Sequence, residues 1–476
     1  MLGKNLKAQG FRSAYLGLLL MCNACAPQMS PHEQLVEKGR HIFFNEEFEG
    51  NGRTCGTCHR AEDNFKITPE FIATLPADDP LFVAESNPQL ANNFEKPEMM
   101  RQYGLILMNP DGFHDLEKQF VMRTPQSLRA LRTSIGGAEF EGYENQIDFQ
   151  PDQTGWAGDG APGDGTLRSF ALGAVRQHMT RSMNRTPGID FRLPTEEELD
   201  ALLAFMLSLG RQDELSLPLK LRSDRATRGQ ALFLDPEHQN ARCSICHINA
   251  GASSMSAQAI SLDQKINLGN IRHTTGEERL PGLPNELLPL DDGFGNPGDR
   301  TFNTPSLIEA ADSGRLFHNG AVATVEEAVA IYNLEIFNES ETGSALARRF
   351  GHPTDLDPQE VLDIAAFLRV INARDNILQT QKLLNIATKA GSWNRARASQ
   401  ALLEAWHETE DAILVLQGAN LHPIAVASLR SVLVEISSSR LAWFGRKNAI
   451  ETVERLLELA IVEIEGEKTG SKIAGR

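Results

Sequence analysis

Apolar residues recur every three or four positions in "HEQLVEKGRHIFFN" (His32 to Asn45) and again in "DRATRGQALFLD" (Asp224 to Asp235). That spacing puts one apolar stripe on each segment and predicts two amphipathic helices. The same period runs through "LPTEEELDALLAFMLSLGR" (Leu193 to Arg211) and "DLDPQEVLDIAAFLRVIN" (Asp355 to Asn372). Pro194 and Thr195, followed by glutamates, form a helix start. Between the helices lie stretches rich in Gly, Pro and Asp, among them "GWAGDGAPGDG" (Gly155 to Gly165) and "PLDDGFGNPGD" (Pro289 to Asp299), which read as loops. From about Ala373 glycine thins out, and long amphipathic helices are predicted over Ala398 to Gln417, Pro423 to Phe444 and Ala449 to Glu465. They read as a helical bundle or hairpin of roughly 100 residues, a packing or docking appendage.

The first helix of each pair runs toward the same short pattern. "TCGTCH" (Thr54 to His59) follows one and "RCSICH" (Arg242 to His247) the other, with Cys55 and Cys243 188 residues apart. Each pattern is followed, well downstream, by one of the closing helices. The order helix, Cys-x-x-Cys-His, long loops, closing helix therefore occurs twice, an internal duplication of architecture. The division that results is residues 31–215, residues 216–374 and a helical remainder, residues 375–476.

Composition narrows the class. With 41% hydrophobic and 23% charged residues the chain is globular rather than disordered or a membrane bundle. A net charge of −17 disfavours nucleic acid as a partner and suits a basic one. Lys4, Lys7 and Arg12 precede a short apolar run, Ala14 to Cys22, shorter than the roughly 20 residues that span a bilayer. Residues 1–26 therefore read as an export signal, toward the periplasm. Asn23-Ala24-Cys25 leaves three outcomes open: a lipid anchor at Cys25, ordinary cleavage nearby, or an uncleaved apolar segment. Of the six cysteines, Cys22 and Cys25 belong to that segment, so Cys55, Cys58, Cys243 and Cys246 are all spent on the two patterns. An exported chain with no cysteine left for a disulfide framework uses these four for something else.

Cys-x-x-Cys-His is the attachment pattern of c-type haem. Two thiols a helical turn apart reach both vinyl groups of one haem, and the next histidine falls under the iron. The reading is two covalent haems, with His59 and His247 as axial ligands. A zinc site or a redox dithiol is the alternative for each pair. The fold class that follows is mainly α: two tandem cytochrome c-like domains, then a C-terminal α-helical domain. His32, His41, His238, His352, His407 and His422 sit at element ends or on exposed faces and are set aside as ligands.

The duplicated halves, with "TFNTPSLIEAADSGRLFHNGAVATVEEAVAIYN" (Thr301 to Asn333), resemble the bacterial di-haem cytochrome c peroxidase and MauG superfamily. The likeness rests on Thr304-Pro305-Ser306-Leu307, Phe317-His318-Asn319-Gly320 and Val325-Glu326-Glu327-Ala328-Val329, and covers roughly residues 33 to 372. It implies that the last of these helices carries the distal ligand of the second haem. The peroxidases have methionine there and MauG tyrosine; Tyr332 falls at that position, fourteen residues after His318. A half-buried helix tyrosine is the plain alternative. "RTPQSLRAL" (Arg123 to Leu131) resembles the loop after the first haem, and Trp156 stands where the family places a tryptophan between the haems, an electron relay unless it is a core or loop residue.

The first half departs from the family. Its peroxide-cleaving Gln and Glu fall on Phe170 and Thr180. His178 is left with two roles open, general base or iron ligand, and His114 is another candidate distal ligand. Arg123 and Arg315 fall near the expected calcium ligands, which disfavours calcium. The implied activity uses hydrogen peroxide or oxygen at the first haem, with electrons passing through the second. With the usual pair absent and Phe170 in its place, a MauG-like oxidase or a dioxygenase of the rubber-cleaving type fits better than an ordinary peroxidase. The competing reading is an electron-transfer cytochrome with two six-coordinate haems.

Overall fold

The computed structural model describes residues 29–90, 93–109, 112–125, 127–134, 167–213, 215–235, 240–251, 272–281, 283, 302–391, 394–441 and 446–466. The predicted export segment with Cys25, and Trp156, lie outside them. The described chain is mainly helical. The first half contributes α1 (Pro31–Asn45), α2 (Cys55–Cys58), α3 (Leu167–His178) and α4 (Glu196–Ser208). Then come α5 (Asp224–Leu234), α6 (Val325–Ile331) and α7 (Pro358–Ala390), followed by α8 (Arg395–Gln417), α9 (Pro423–Leu441) and α10 (Arg446–Glu465). Strands form two short antiparallel pairs, β1 (Ile106–Met108) with β2 (Val121–Arg123) and β3 (Arg272–His273) with β4 (Phe302–Asn303).

Local chemistry sets the helix starts. Ser30 and Glu33 cap α1 reciprocally, side chain to backbone in both directions, and Thr195 and Glu198 do the same for α4. Asp357 and Glu360 cap α7, with Pro358 in its first turn, where a missing N–H costs nothing. α7 does not stop at Asn372. It runs unbroken through the position where the sequence places a boundary, to Ala390.

Three apolar clusters hold these elements. One joins α1, α3 and α4 through residues such as Phe43, Val175 and Phe205. A second joins α5, α6 and the start of α7 through Phe233, Val329 and Phe367. The third fills the bundle of α7 to α10.

The first two clusters repeat one helix crossing. Gly39 of α1 faces α4 so closely that a Cβ would lie 1.8 Å from the carbonyl oxygen of Ala201. Gly229 of α5 faces α7 in the same way, 1.8 Å from the carbonyl oxygen of Asp363. Only a residue without a side chain lets two helix backbones touch like this. One turn further along each helix the faces meet again. Phe43 packs on Phe205 with ring centroids 5.2 Å apart, and Phe233 packs on Phe367 at 5.3 Å. Each Phe stands four residues after its glycine or after the residue the glycine touches, so both halves share one register.

Candidate cofactor sites

The two cysteine patterns are built alike. In the first, α2 is a single turn whose Thr54 backbone N–H donates to the Thr57 hydroxyl (2.9 Å). The His59 N–H donates to the Cys55 carbonyl (3.1 Å) and its ring Nδ1 lies 2.8 Å from the Phe65 carbonyl oxygen. In the second, Cys243–Ile245 form a tight 3₁₀ turn. The His247 N–H donates to the Cys243 carbonyl (2.9 Å) and Nδ1 lies 3.1 Å from the Pro305 carbonyl oxygen. A carbonyl only accepts, so Nδ1 carries the hydrogen in both rings and Nε2 keeps the lone pair. Both imidazoles are thus held in the tautomer that a metal ligand needs.

Burial pushes the four thiols up, Cys58 to about 11 and Cys55, Cys243 and Cys246 to about 12. A redox dithiol has the opposite tendency, a pKa lowered toward neutrality. The sulfurs also face apolar surroundings. Cys55 packs on the cluster of Phe43 and Phe205, Cys58 on Ile67 and Phe82, and Cys246 on Ile245 and Leu346.

The second pattern opens onto a cavity of about 280 Å³, lined by Cys243, Cys246, His247 and Tyr332. Phe233, Val329 and Leu368 supply apolar wall. This is close to the lower end of the roughly 300–1,000 Å³ usual for sites of small organic ligands. Two thiols, one imidazole and a largely apolar wall make this lining suited to an apolar organic group. Tyr332 ends α6 with its ring edge-on to Phe337, centroids 4.8 Å apart. Burial, and then the negative field of Glu277, hold its phenol proton far more tightly than usual.

Several residues of this wall gave no signal in the sequence. Glu277, 1% exposed, accepts from Thr275 and lies 2.8 Å from His318 Nδ1. Lys66 and Arg129 reach the cavity from the first half. Burial pulls Lys66 down to about 8, and its Nζ donates to the Arg315 carbonyl (3.4 Å). Arg129 is paired with Glu408 of α8, with 7% and 5% of the two side chains exposed. Arg315 also lines the cavity; its Nε donates to the Gly320 carbonyl (2.6 Å). Arg123 is buried with Nη1 on the Met122 carbonyl (3.2 Å).

Around the first pattern, His178 closes α3, and Asn51 donates to its carbonyl (3.0 Å) and to that of Thr180 (2.9 Å). This ties the end of α3 to the residues just before Cys55. Among the described residues the His178 Nδ1 is buried with no hydrogen-bond partner, 3.9 Å from Glu95 Oε1. Burial, then the fields of Arg53, Arg185 and His59, pull His178 down to about 3, so it is neutral. Glu95 is held by Arg53 Nη1 (2.9 Å), which also donates through Nη2 to the Leu81 carbonyl (2.6 Å). Phe170 is half-buried on α3. Thr180 is fully buried and donates its hydroxyl to the Ser182 carbonyl (2.7 Å), so it is committed to the turn. His114 is exposed.

No known protein family matches the chain, and no curated protein does. Among solved structures it is similar to a MauG-like protein associated with microbial copper homeostasis, at 19% identity and a TM-score of 0.39, over 72% of this chain and 89% of that one. It is also similar to hydrazine synthase of Kuenenia stuttgartiensis (16%, TM-score 0.35, 72% and 88%) and to the di-haem peroxidase BthA of Burkholderia thailandensis (18%, TM-score 0.34, 72% and 86%).

Proposed function

We propose that the chain is an exported c-type cytochrome with two covalent haems, one on Cys55, Cys58 and His59 and one on Cys243, Cys246 and His247. It uses hydrogen peroxide or oxygen at the first and passes electrons through the second. The matched build of the two turns carries this reading: in each, two half-buried thiols precede a histidine whose Nδ1 is fixed by a backbone carbonyl. When bound, haem supplies an iron that changes oxidation state by single electrons and, where one face is open, takes up a small oxidant.

The chain's own groups do the rest. His59 and His247 offer Nε2, and the carbonyls of Phe65 and Pro305 hold the rings in place. Tyr332, on the wall of the same cavity as His247, would offer its phenol oxygen to the second haem. Its proton leaves only when a cation beside the oxygen offsets burial and the field of Glu277. At the first site the neutral His178 would serve as a hydrogen-bond acceptor rather than a strong base, and Phe170 would keep water away. On this reading residues 31–215 and 216–374 are cytochrome c-like domains sharing one helix crossing, and residues 375–476 are a helical domain joined through α7. Export places the protein in the periplasm, free or held by a lipid on Cys25, and its charge of −17 suits a basic redox partner.

One observation favours a second reading. The unpartnered His178 Nδ1 lies in the field of His59, as a sixth ligand to the first haem would. Two closed haems make an electron carrier. Low-temperature EPR of the ferric protein beside Tyr332→Met separates the two. One high-spin and one low-spin haem, with only the low-spin signal changed by the substitution, supports the oxidant-using protein and Tyr332 ligation. Two low-spin signals in the unaltered protein favour the carrier. A denaturing gel stained for haem tests the common premise, because haem that leaves the chain on denaturation is not covalently held.

A further inference from the structure

Arg185 lies in the turn that follows α3. Asp190 fixes that turn, accepting from the Ser182 hydroxyl (2.8 Å) and from the Thr186 backbone N–H (2.8 Å). The Arg185 backbone has a φ of +51°, in the left-handed region that side chains other than glycine rarely adopt. The residue is 7% exposed, and among the described residues its Nε, Nη1 and Nη2 are buried without a hydrogen-bond partner. Its guanidinium carbon lies 4.3 Å from the centre of the Phe113 ring and 6.0 Å from that of Phe94. Aromatic contact can occupy the faces of a guanidinium but leaves the N–H edge unsatisfied.

The nearest opposite charge does not satisfy it. Glu95 accepts from Arg53 on Oε1 (2.9 Å) and from the Leu107 backbone on Oε2 (3.3 Å). It gives Arg185 a field but no hydrogen bond. His178 Nδ1 is the other unpartnered group beside the same carboxylate. Two guanidiniums, one carboxylate and one neutral imidazole leave this buried group with an excess positive charge and unmatched donors. Buried donors are rarely left so, and a charged one costs most.

We propose that Arg185 and His178 form a buried site for a small monoanion beside the first cysteine pattern, reached past the partly exposed Phe113. The anion completes the guanidinium edge and cancels the excess charge. Only its use rests on the function proposed above. There the anion would be hydroperoxide, whose charged oxygen the Arg185 edge would hold.

The test is calorimetry of the haem-loaded protein with sodium formate, beside Arg185→Leu and Arg185→Lys, each checked for an unchanged circular dichroism spectrum. One saturable site is expected, weakened roughly ten- to a hundredfold by Arg185→Leu, as for loss of a charge-assisted hydrogen bond, and less by Arg185→Lys. Arg185→Lys keeps the test informative if Arg185→Leu does not fold. Equal formate affinity in all three proteins overturns the site. If the unaltered protein binds no formate, a crystal structure of the loaded protein decides. A haem carboxylate on Arg185 means the site is filled by the cofactor's own monoanion. A guanidinium touching only water or protein overturns the proposal, whatever the haem stain shows.

Discussion

Replacing Gly229 with alanine tests the helix crossing on which the two-fold design rests. The added Cβ would stand 1.8 Å from the Asp363 oxygen, 2.4 Å from its carbonyl carbon and 2.9 Å from the Ile364 nitrogen. All three are backbone atoms of α7, so no side chain can swing away. Ordinary contact begins near 3.4 Å, so α5 and α7 must part by about 1.6 Å. Dispersion falls steeply over such a gap. The Phe233–Phe367 contact loosens with it, worth about 0.5–1.5 kcal/mol beyond area burial. Overpacking adds about 1–3 kcal/mol. Against these, alanine is a better helix former than glycine by about 1 kcal/mol. The clash wins, and the expected net loss is about 0.5–3.5 kcal/mol in urea unfolding followed by circular dichroism. Gly39→Ala should behave alike, because its Cβ meets the Ala201 backbone at the same 1.8 Å. A neutral or stabilising result at either glycine would mean that propensity alone acts there and that the helices do not touch as described.

Glu408→Gln leaves the buried Arg129 charge without its counter-charge and should cost about 3–5 kcal/mol, whereas Arg129→Leu with Glu408→Leu should recover most of it; thermal melts of the three proteins check this. His178 is held neutral, with its pKa depressed from 6.5 to about 3, so the unfolded chain binds the extra proton first as pH falls. Its contribution is complete above about pH 6.5 and is lost on the way down to about pH 3, by up to about 5 kcal/mol. Acid titration of unfolding should therefore be shallower in His178→Gln over that window, and equal slopes refute the assignment. Changing Cys243 and Cys246 to alanine should leave one covalent haem, read as the intact mass of the denatured chain; two haems remaining would remove the second site.

The helices before and after each cysteine pattern were legible because their signals are local. A Thr195 cap followed by Glu198, and one apolar stripe, need no knowledge of the partner. The cysteine patterns were legible for the same reason. The continuation of α7 past Asn372 was not, because the helix there is buried on almost every side as far as Thr380 and loses its amphipathic period. Asn372, Asp375 and Asn376 look like a solvated break in the sequence. In the fold they are buried, and Asn372 and Asn376 both donate to Asp312 Oδ2, at 2.8 and 2.7 Å. Polar residues inside a helix mark a boundary only when water is their partner; here another loop is.

The same cause hid the part that the C-terminal helices play. As sequence they are amphipathic and carry no cluster of ligands, which reads as packing. In the fold, α7 and α8 reach back into both halves. Lys382 of α7 donates to the carbonyls of Ser208 (3.0 Å) and Gly210 (3.1 Å), where α4 has run out of its own donors. Arg397 of α8 pairs with Glu37 of α1 at 3.4 Å. Glu408 holds Arg129, which is itself wall of the cavity around Cys243, Cys246 and His247. Each link joins residues more than a hundred positions apart, beyond the reach of any periodic or capping signal. Their sum is that the charge facing the second site depends on a helix far outside the cysteine patterns. An exposed pair could be lost at little cost, but a pair this deeply buried makes the bundle part of the site's electrostatics.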